Sequence, residues 1–412
     1  MSISLSNEEI KNPSKYLGNE YEYLKKVLES ENWSATAGSW NHILEEKFAE
    51  KFGVKYAVAM NSGTSTLHSA LEACGVLPGD EVISPALSVI MNTTATIHTN
   101  AIPVYCDINP KDFTIDPEDF KRKITPKTKA VMTVSIYGLP PEMDKIISIA
   151  KQNNIAVIED NAQCFLSRYK NKLAGTFGDM ASYSFENTKH ISCGEGGILI
   201  TDNEQLAERS RKIGGHGFKH LSAVEGRVRL RKDAFQNPQY KRHDTIGWNY
   251  RLPEFNAAVA LAQLERIEEL VDLRVKSAKL FIDVMKSCDY LIPQYTAQDR
   301  TNSYYTLGVV YNGDASIEVS WEDFRKSYIE AGGDGVYGAW SVPYLEPVIA
   351  DRKFISRYPE IYKNIKYEKG LCPVAESIQP KIMQFKTNYR DLNLAELKAD
   401  ILYKTIKKFG GK

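Results

Sequence analysis

Cysteine is sparse and unpatterned: there are six in 412 residues and none stands in a Cys-x-x-Cys pair. That spacing suggests neither a disulfide framework nor a zinc site, so no metal is expected. Net charge is lacking as well, because 52 Lys and Arg residues balance 52 Asp and Glu. Nothing in that balance points to nucleic acid or a membrane as a partner. No apolar run approaches the ~18 residues that span a bilayer, and the start, Met1 to Glu9, lacks a basic region followed by an apolar stretch. The expectation is a protein that stays in the cytoplasm. No Gly-x-Gly-x-x-Gly opens a helix after the first strand, which sets aside an NAD-binding Rossmann enzyme. Internal repeats and low-complexity segments are also missing.

What is present is ordinary globular usage, 43% apolar and 25% charged. A chain of this length exceeds a single small core, so two domains are expected, 1–253 and 254–412. In the first, strand-like runs at 56–60, 81–83, 102–106, 129–134 and 154–159 alternate with helical segments. Such alternation predicts an α/β fold with a mostly parallel, doubly wound sheet, whose ligands bind at the carboxyl ends of the strands. Beyond Pro253 a helical pattern runs from 254 to about 285, an alternating strand covers 303–311, and Ser320-Trp-Glu-Asp323 reads as a capping box. With a last helix from about 393 to 409, the second domain reads as a smaller α+β unit.

Three places in the first domain carry candidate chemistry. Asn61-Ser-Gly-Thr-Ser65 turns a strand into a helix, and a helix start with free N–H groups holds phosphate, although Ser and Thr would also cap it for structural reasons alone. Asp160 ends the apolar run Ile155–Ile158. A carboxylate buried there needs a partner, either a protonated pyridine nitrogen or the N-terminus of a following helix. Lys189 lies between the strand-like Ala181–Phe185 and the turn Gly194-Glu-Gly-Gly197. It is either a solvated surface charge or a still, partly dry amine of the kind that forms an imine.

Two loops are less specific. Residues 32–38 form a turn that is a candidate for lining a substrate. Residues 214–242 gather Lys219, Arg227, Arg229, Arg231, Lys232, Lys241 and Arg242, which suits either a solvated surface segment or an electrostatic lid over an anionic substrate.

Five motifs occur in order: Asn61-Ser-Gly-Thr64, Glu159-Asp-Asn-Ala-Gln163, Ser184-Phe-Glu-Asn-Thr-Lys189, Gly194-Glu-Gly-Gly197 and Gly247-Trp-Asn-Tyr-Arg251. In them the chain resembles, along nearly its whole length, the DegT/DnrJ-type sugar aminotransferases, which are fold type I enzymes dependent on pyridoxal 5'-phosphate. The resemblance implies that Gly63, Thr64 and Ser184 bind the cofactor phosphate and that Asn249 reaches it from the partner subunit of a homodimer with shared active sites. It implies that Asp160 pairs with the pyridine nitrogen, Gln163 with the phenolic oxygen, and that Lys189 is the catalytic lysine. Family members commonly stack an aromatic residue on the ring where this chain has Val89 in Pro85-Ala-Leu-Ser-Val89.

The activity implied is transfer of an amino group from glutamate to a keto sugar, nucleotide-linked in most of the family. A keto sugar acid or a cyclitol ketone is an alternative acceptor. Related dehydratases carry histidine at the lysine position, which makes His190 the residue to check. Counted from Ser184, the family position falls on Lys189. A non-catalytic relative would be expected to lose Lys189, Asp160 or Gln163, and all three are present.

Overall fold

The computed structural model describes residues 12–229, 233, 236–354 and 358–411. Arg231 and Lys232 of the basic loop lie outside the described residues. Short apolar runs build a seven-stranded sheet. Its strands are β1 (Tyr56–Met60), β2 (Glu81–Pro85), β3 (Ile102–Cys106), β4 (Thr128–Val134), β5 (Ala156–Asp160) and, after a small hairpin of β6 (Arg168–Tyr169) and β7 (Lys172–Leu173), β8 (Met180–Ser184) and β9 (Gly197–Thr201). The spatial order is β1-β9-β8-β5-β4-β2-β3. Among these strands β9 alone runs against its neighbours, setting Ile198 opposite Tyr183 on β8 and Ala59 on β1, while the remaining adjacent pairs are parallel.

Parallel strands need crossover connections, and helices supply them. After α1 (Glu20–Glu29) and α2 (Trp40–Phe52), the sheet is wrapped by α3 (Gly63–Ala73), α4 (Met91–His98), α5 (Pro117–Lys123), α6 (Met143–Gln152) and α7 (Glu204–Gly214). Both faces are therefore covered, and central strands read as continuous apolar runs: Ala130 to Val134 of β4 are all buried. The doubly wound α/β architecture expected from the alternation is the one observed.

The helical pattern from 254 to about 285 proves to be two helices, α8 (Glu254–Leu264) and α9 (Ile267–Met285), broken at Arg266, whose φ of −110° and ψ of 14° leave the helical region. Leu261 and Leu264 of α8 join Leu44 and Phe48 of α2 in the large sheet's core, and so do Ile267, Leu270 and Val271 at the start of α9; the change of core comes within α9, where Phe281 and Met285 pack with Tyr290 and Phe385 around a second sheet. At the joint the Glu265 carboxylate accepts from Tyr23 Oη at 2.6 Å and Asn19 Nδ2 at 2.8 Å. The expected 253/254 boundary thus falls at the start of α8.

The second sheet is antiparallel, ordered β10 (Leu291–Pro293), β11 (Leu307–Tyr311), β13 (Ile382–Phe385), β12 (Tyr337–Gly338). The strand expected from Ser303 starts only at Leu307, because the Ser303 N–H is bound to the Gly138 carbonyl of the large domain at 3.1 Å. Ser320 caps α10 (Trp321–Glu330) by accepting the Asp323 N–H at 3.0 Å, the capping box read from sequence. Finally α11 (Leu392–Lys408) covers the sheet with Leu394, Leu402 and Ile406. Among the described residues no helix is long and apolar enough to cross a membrane.

Candidate active site

A cavity of about 510 Å³ opens at the carboxyl ends of β1, β2, β4, β5 and β8, lined in part by Gly63, Thr64, Val89, Asp160, Gln163, Ser184 and Lys189. Strand direction explains the gathering. Parallel strands deliver the residues that follow them to one edge of the sheet. Because β9 turns back antiparallel, the β8–β9 connection that carries Lys189 stays at that edge too.

At the end of β1 the chain enters α3 through a tight turn. Ser62 is the N-cap, its Oγ accepting the Ser65 N–H at 3.0 Å, and the Thr66 N–H returns to the Ser62 carbonyl at 3.2 Å. Gly63 and Thr64 are the first helical residues, whose N–H groups helix geometry leaves without an intrahelical acceptor. Capping and anion binding are therefore both served: Ser62 caps, and the next two amides remain available. The turn is backed by β9, where a Cβ on Gly197 would lie 2.6 Å from the Ser62 carbonyl carbon and 2.7 Å from the Gly63 nitrogen.

Alternation along β5 sends neighbouring carboxylates to opposite sides. Glu159 faces away and accepts the N–H groups of Gly175, Phe177 and Gly178, each at 2.7 Å, which makes it an organiser of the loop before β8. Asp160 faces the cavity, 3% exposed. Its oxygens accept from Ala162 N at 3.0 Å and Asn92 Nδ2 at 2.9 Å, and Asn92 Oδ1 in turn accepts from Ser88 Oγ at 2.6 Å. Burial pushes the Asp160 carboxyl above the ordinary carboxylate range, partly offset by those two hydrogen bonds and by the Lys189 charge.

Tyr137 sits in the left-handed region with φ 60°, and its N–H donates to Gln163 Oε1 at 2.8 Å. That strained turn occupies the acceptor end of the amide and leaves the donor end, Nε2, for the cavity. Ser184 is buried on β8, its Oγ accepting the Glu186 N–H at 3.3 Å.

Lys189 is half-buried, with Nζ 4.5 Å from the centroid of the Tyr305 ring, and the Tyr305 hydroxyl is bonded to Thr188 Oγ1 at 2.8 Å. The adjacent His190 faces the interior. It is 1% exposed, its Nε2 donates to the Ser303 carbonyl at 2.9 Å, and burial holds its pKa well below the usual imidazole value. The histidine is a neutral packing residue behind the cavity, and the lysine is the group inside it.

Two sequence candidates lie elsewhere in this chain. Asn249 is exposed, bridging to Gly215 through its backbone and accepting from Asn61 Nδ2 at 3.4 Å, and it does not line its own chain's cavity. The turn at 32–38 does not line the cavity of its own chain: the Thr36 carbonyl accepts the N–H groups of Val228 and Arg229, each at 3.0 Å, so it holds the basic loop. No described residue of 214–246 lines the cavity of its own chain. Asn92, Tyr137 and Tyr305 are site residues that sequence reasoning did not single out.

The cradle fits a phosphorylated, protonated pyridine. It offers two free helix-start amides and a hydroxyl at one end, and at the other a buried carboxylate with no cation within ion-pair distance among the described residues. The family model for the DegT/DnrJ/EryC1/StrS aminotransferase family matches residues 16–337. The chain belongs to this family. Within it, the GDP-perosamine synthase of Escherichia coli O157:H7 is 39% identical over 294 residues, 71% of this chain and 75% of that protein. The L-glutamine:2-deoxy-scyllo-inosose aminotransferase of Streptoalloteichus tenebrarius is 33% identical over 373 residues, 88% and 85% of the two chains. Among solved structures, GDP-4-keto-6-deoxymannose-3-dehydratase with a trapped PLP-glutamate geminal diamine superposes with a TM-score of 0.81 at 25% identity, covering 95% of this chain and 99% of that one.

Proposed function

We infer that this aminotransferase makes amino sugars with pyridoxal 5'-phosphate, taking the amino group from glutamate and placing it on the ketone of a nucleotide-linked sugar. The observation that carries the reading is that the Lys189 amine, the buried Asp160 carboxylate and the free Gly63 and Thr64 amides share one cavity. When bound, pyridoxal phosphate supplies a carbonyl that carries the amino group and a ring that withdraws electrons from the reacting carbon.

The rest is work for the chain. Gly63, Thr64 and Ser184 hold the phosphate, the helix dipole of α3 adding to the attraction. Asp160, oriented by Asn92 and the Ala162 N–H, keeps a proton on the ring nitrogen. Gln163 would donate to the phenolic oxygen, and Val89 would pack on the ring without stacking. Lys189 would be the amine that holds the cofactor covalently and, when free, the base that takes the proton from the donor's Cα and returns one on the acceptor side.

A nucleotide-linked acceptor fits a relative named GDP-perosamine synthase at 39% identity, and glutamate fits the solved structure that holds a trapped PLP-glutamate adduct. The cyclitol aminotransferase at 33% identity supports a cyclitol ketone as the second reading of the acceptor. A dehydratase is disfavoured because His190 is buried behind the cavity. Asn249, exposed and absent from the lining of its own chain's cavity, supports a homodimer in which it completes the partner's phosphate site; an active, cofactor-loaded monomer in sedimentation would count against this. Six unpaired cysteines suit a reducing cytoplasm. The main test is a screen of keto sugars and cyclitols with glutamate, following 2-oxoglutarate. No release with any acceptor, under conditions where the cofactor is bound, would sink the reading.

A further inference from the structure

The backbone that carries Lys189 is held from behind by charges the chemistry above does not use. The Lys189 carbonyl accepts from Lys15 Nζ at 2.6 Å and from Arg274 Nη2 at 3.2 Å. Arg274 also donates to the carbonyls of Thr188 at 2.7 Å and Tyr305 at 2.6 Å. Lys15 belongs to a short strap ahead of α1 that is tied down along its length. Its own carbonyl accepts from Gln263 and Arg266, each at 3.1 Å, while Asn12 donates to the Asn388 carbonyl at 3.0 Å and accepts the Arg390 N–H at 2.8 Å. The strap therefore joins α8, the end of α8's joint with α9, the segment after β13 and the Lys189 loop.

This arrangement is costly. Lys15, Arg274 and Arg390 line one small cavity of about 40 Å³, and among the described residues none of the three is in an ion pair. Burying an ammonium beside two guanidiniums is unfavourable, and a neutral amide would satisfy a carbonyl oxygen without that cost. What a neutral donor does not supply is a charge-assisted bond, roughly twice as strong as a neutral one. Its acceptor is the peptide oxygen of the residue whose side chain must move between bound and free states without losing its aim.

We propose that Lys15 is a positioning residue for amino transfer: its ammonium, together with Arg274, pins the Lys189 peptide so that the released amine stays directed into the cavity. The proposal rests on the reading of Lys189 given above. Burial and the charges of Arg274 and Arg390 lower the Lys15 pKa to about 7, with Glu186 and the Cys193 thiol acting in the opposite sense. Lys189 itself and the neutral His190 are the other titratable groups in the loop it faces. The pinning is therefore complete below neutral pH and weakens as pH rises through about 7.

The test is the rate at which saturating glutamate bleaches the cofactor-loaded enzyme, measured across neutral pH for wild type, Lys15→Met and Lys15→Arg. On the acid side Lys15→Met slows the step about tenfold with little change in the half-saturating glutamate concentration, and the wild-type to Lys15→Met ratio shrinks as pH rises through about 7. Lys15→Arg, whose charge persists, matches wild type in acid and exceeds it in alkali, a comparison that stands even if Lys15→Met fails to fold. A pH-independent ratio, or Lys15→Arg behaving like Lys15→Met, overturns the proposal. A wild-type enzyme that glutamate does not bleach overturns the aminotransferase reading beneath it.

Discussion

Asn92 Nδ2 donates to Asp160 Oδ2 across 2.9 Å, so the carboxylate at the end of β5 is aimed by a side chain from α4. With the Ala162 N–H on the other oxygen, both are oriented, yet burial still keeps the charged form unfavourable. A cationic ring nitrogen is the partner that would relieve it.

Asp160→Asn should therefore fold. A carboxyl whose folded pKa is raised costs stability above its unfolded value, so at neutral pH the cofactor-free variant should be no less stable than wild type. The rise in melting temperature on adding cofactor should shrink, and turnover should fall by at least about a hundredfold. Paired thermal melts and rate assays check this; near-normal turnover would mean that Asp160 only caps the following turn.

Lys189→Ala should remain folded and keep cofactor through Gly63, Thr64, Ser184 and Asp160, since those contacts do not involve the lysine. It should not turn over, having lost both the covalent exchange and the proton-transfer base. Wild type should be yellow, bleach with glutamate and recover with 2-oxoglutarate. Undiminished amino transfer by Lys189→Ala would be fatal to the central assignment.

His190 gives a contrast with a pH signature. Its pKa is depressed well below 6.5 in the fold, so the stability it contributes is complete above 6.5 and is lost as pH falls below it, when the unfolded chain binds the proton first. His190→Gln, which retains a donor for the Ser303 carbonyl, should lose part of that acid limb in a plot of melting temperature against pH while still transferring amino groups. A dehydratase built on His190 would instead lose its activity.

Two glycines separate strain from collision. Gly194→Ala meets nothing within 4 Å and bears only the strain of φ 89°, about 1 kcal/mol. Gly197→Ala places a methyl against the backbone of Ser62 and Gly63, which cannot yield without moving the phosphate turn. Cofactor titration should show Gly197→Ala weakened by more than about tenfold and Gly194→Ala little changed; equal affinities would show that the turn tolerates displacement.

Much of this was legible because strand ends are legible. Asp160, Ser184 and Gly63 each follow an apolar run, and in a doubly wound sheet those positions converge without further information. Lys189 could be placed by its motif, and the structure adds why it stays at the right edge. Residues contributed from far along the chain were not visible: Lys15, Tyr305 and Arg274 have no periodicity or motif that ties them to residue 189, and their roles depend on how separate elements dock. The break at Arg266 was hidden because its flanks keep one apolar helical period into one core: Ile267 and Leu270 after it pack with Leu261 and Leu264 before it.

The reversed strand β9 also sets an order of assembly. It lies between β1 and β8, and β1, at the sheet's edge, has no other strand partner among the described residues. The first strand made must wait through more than a hundred further residues before it can be paired, a long-range closure of the kind that slows folding. A nascent chain that has not yet completed β9 has neither the support for its phosphate turn nor the return anchor of its lysine loop. The turn at Ser62 and Gly63 is thus complete only once β9 has paired with β1 and Gly197 lies against Ser62.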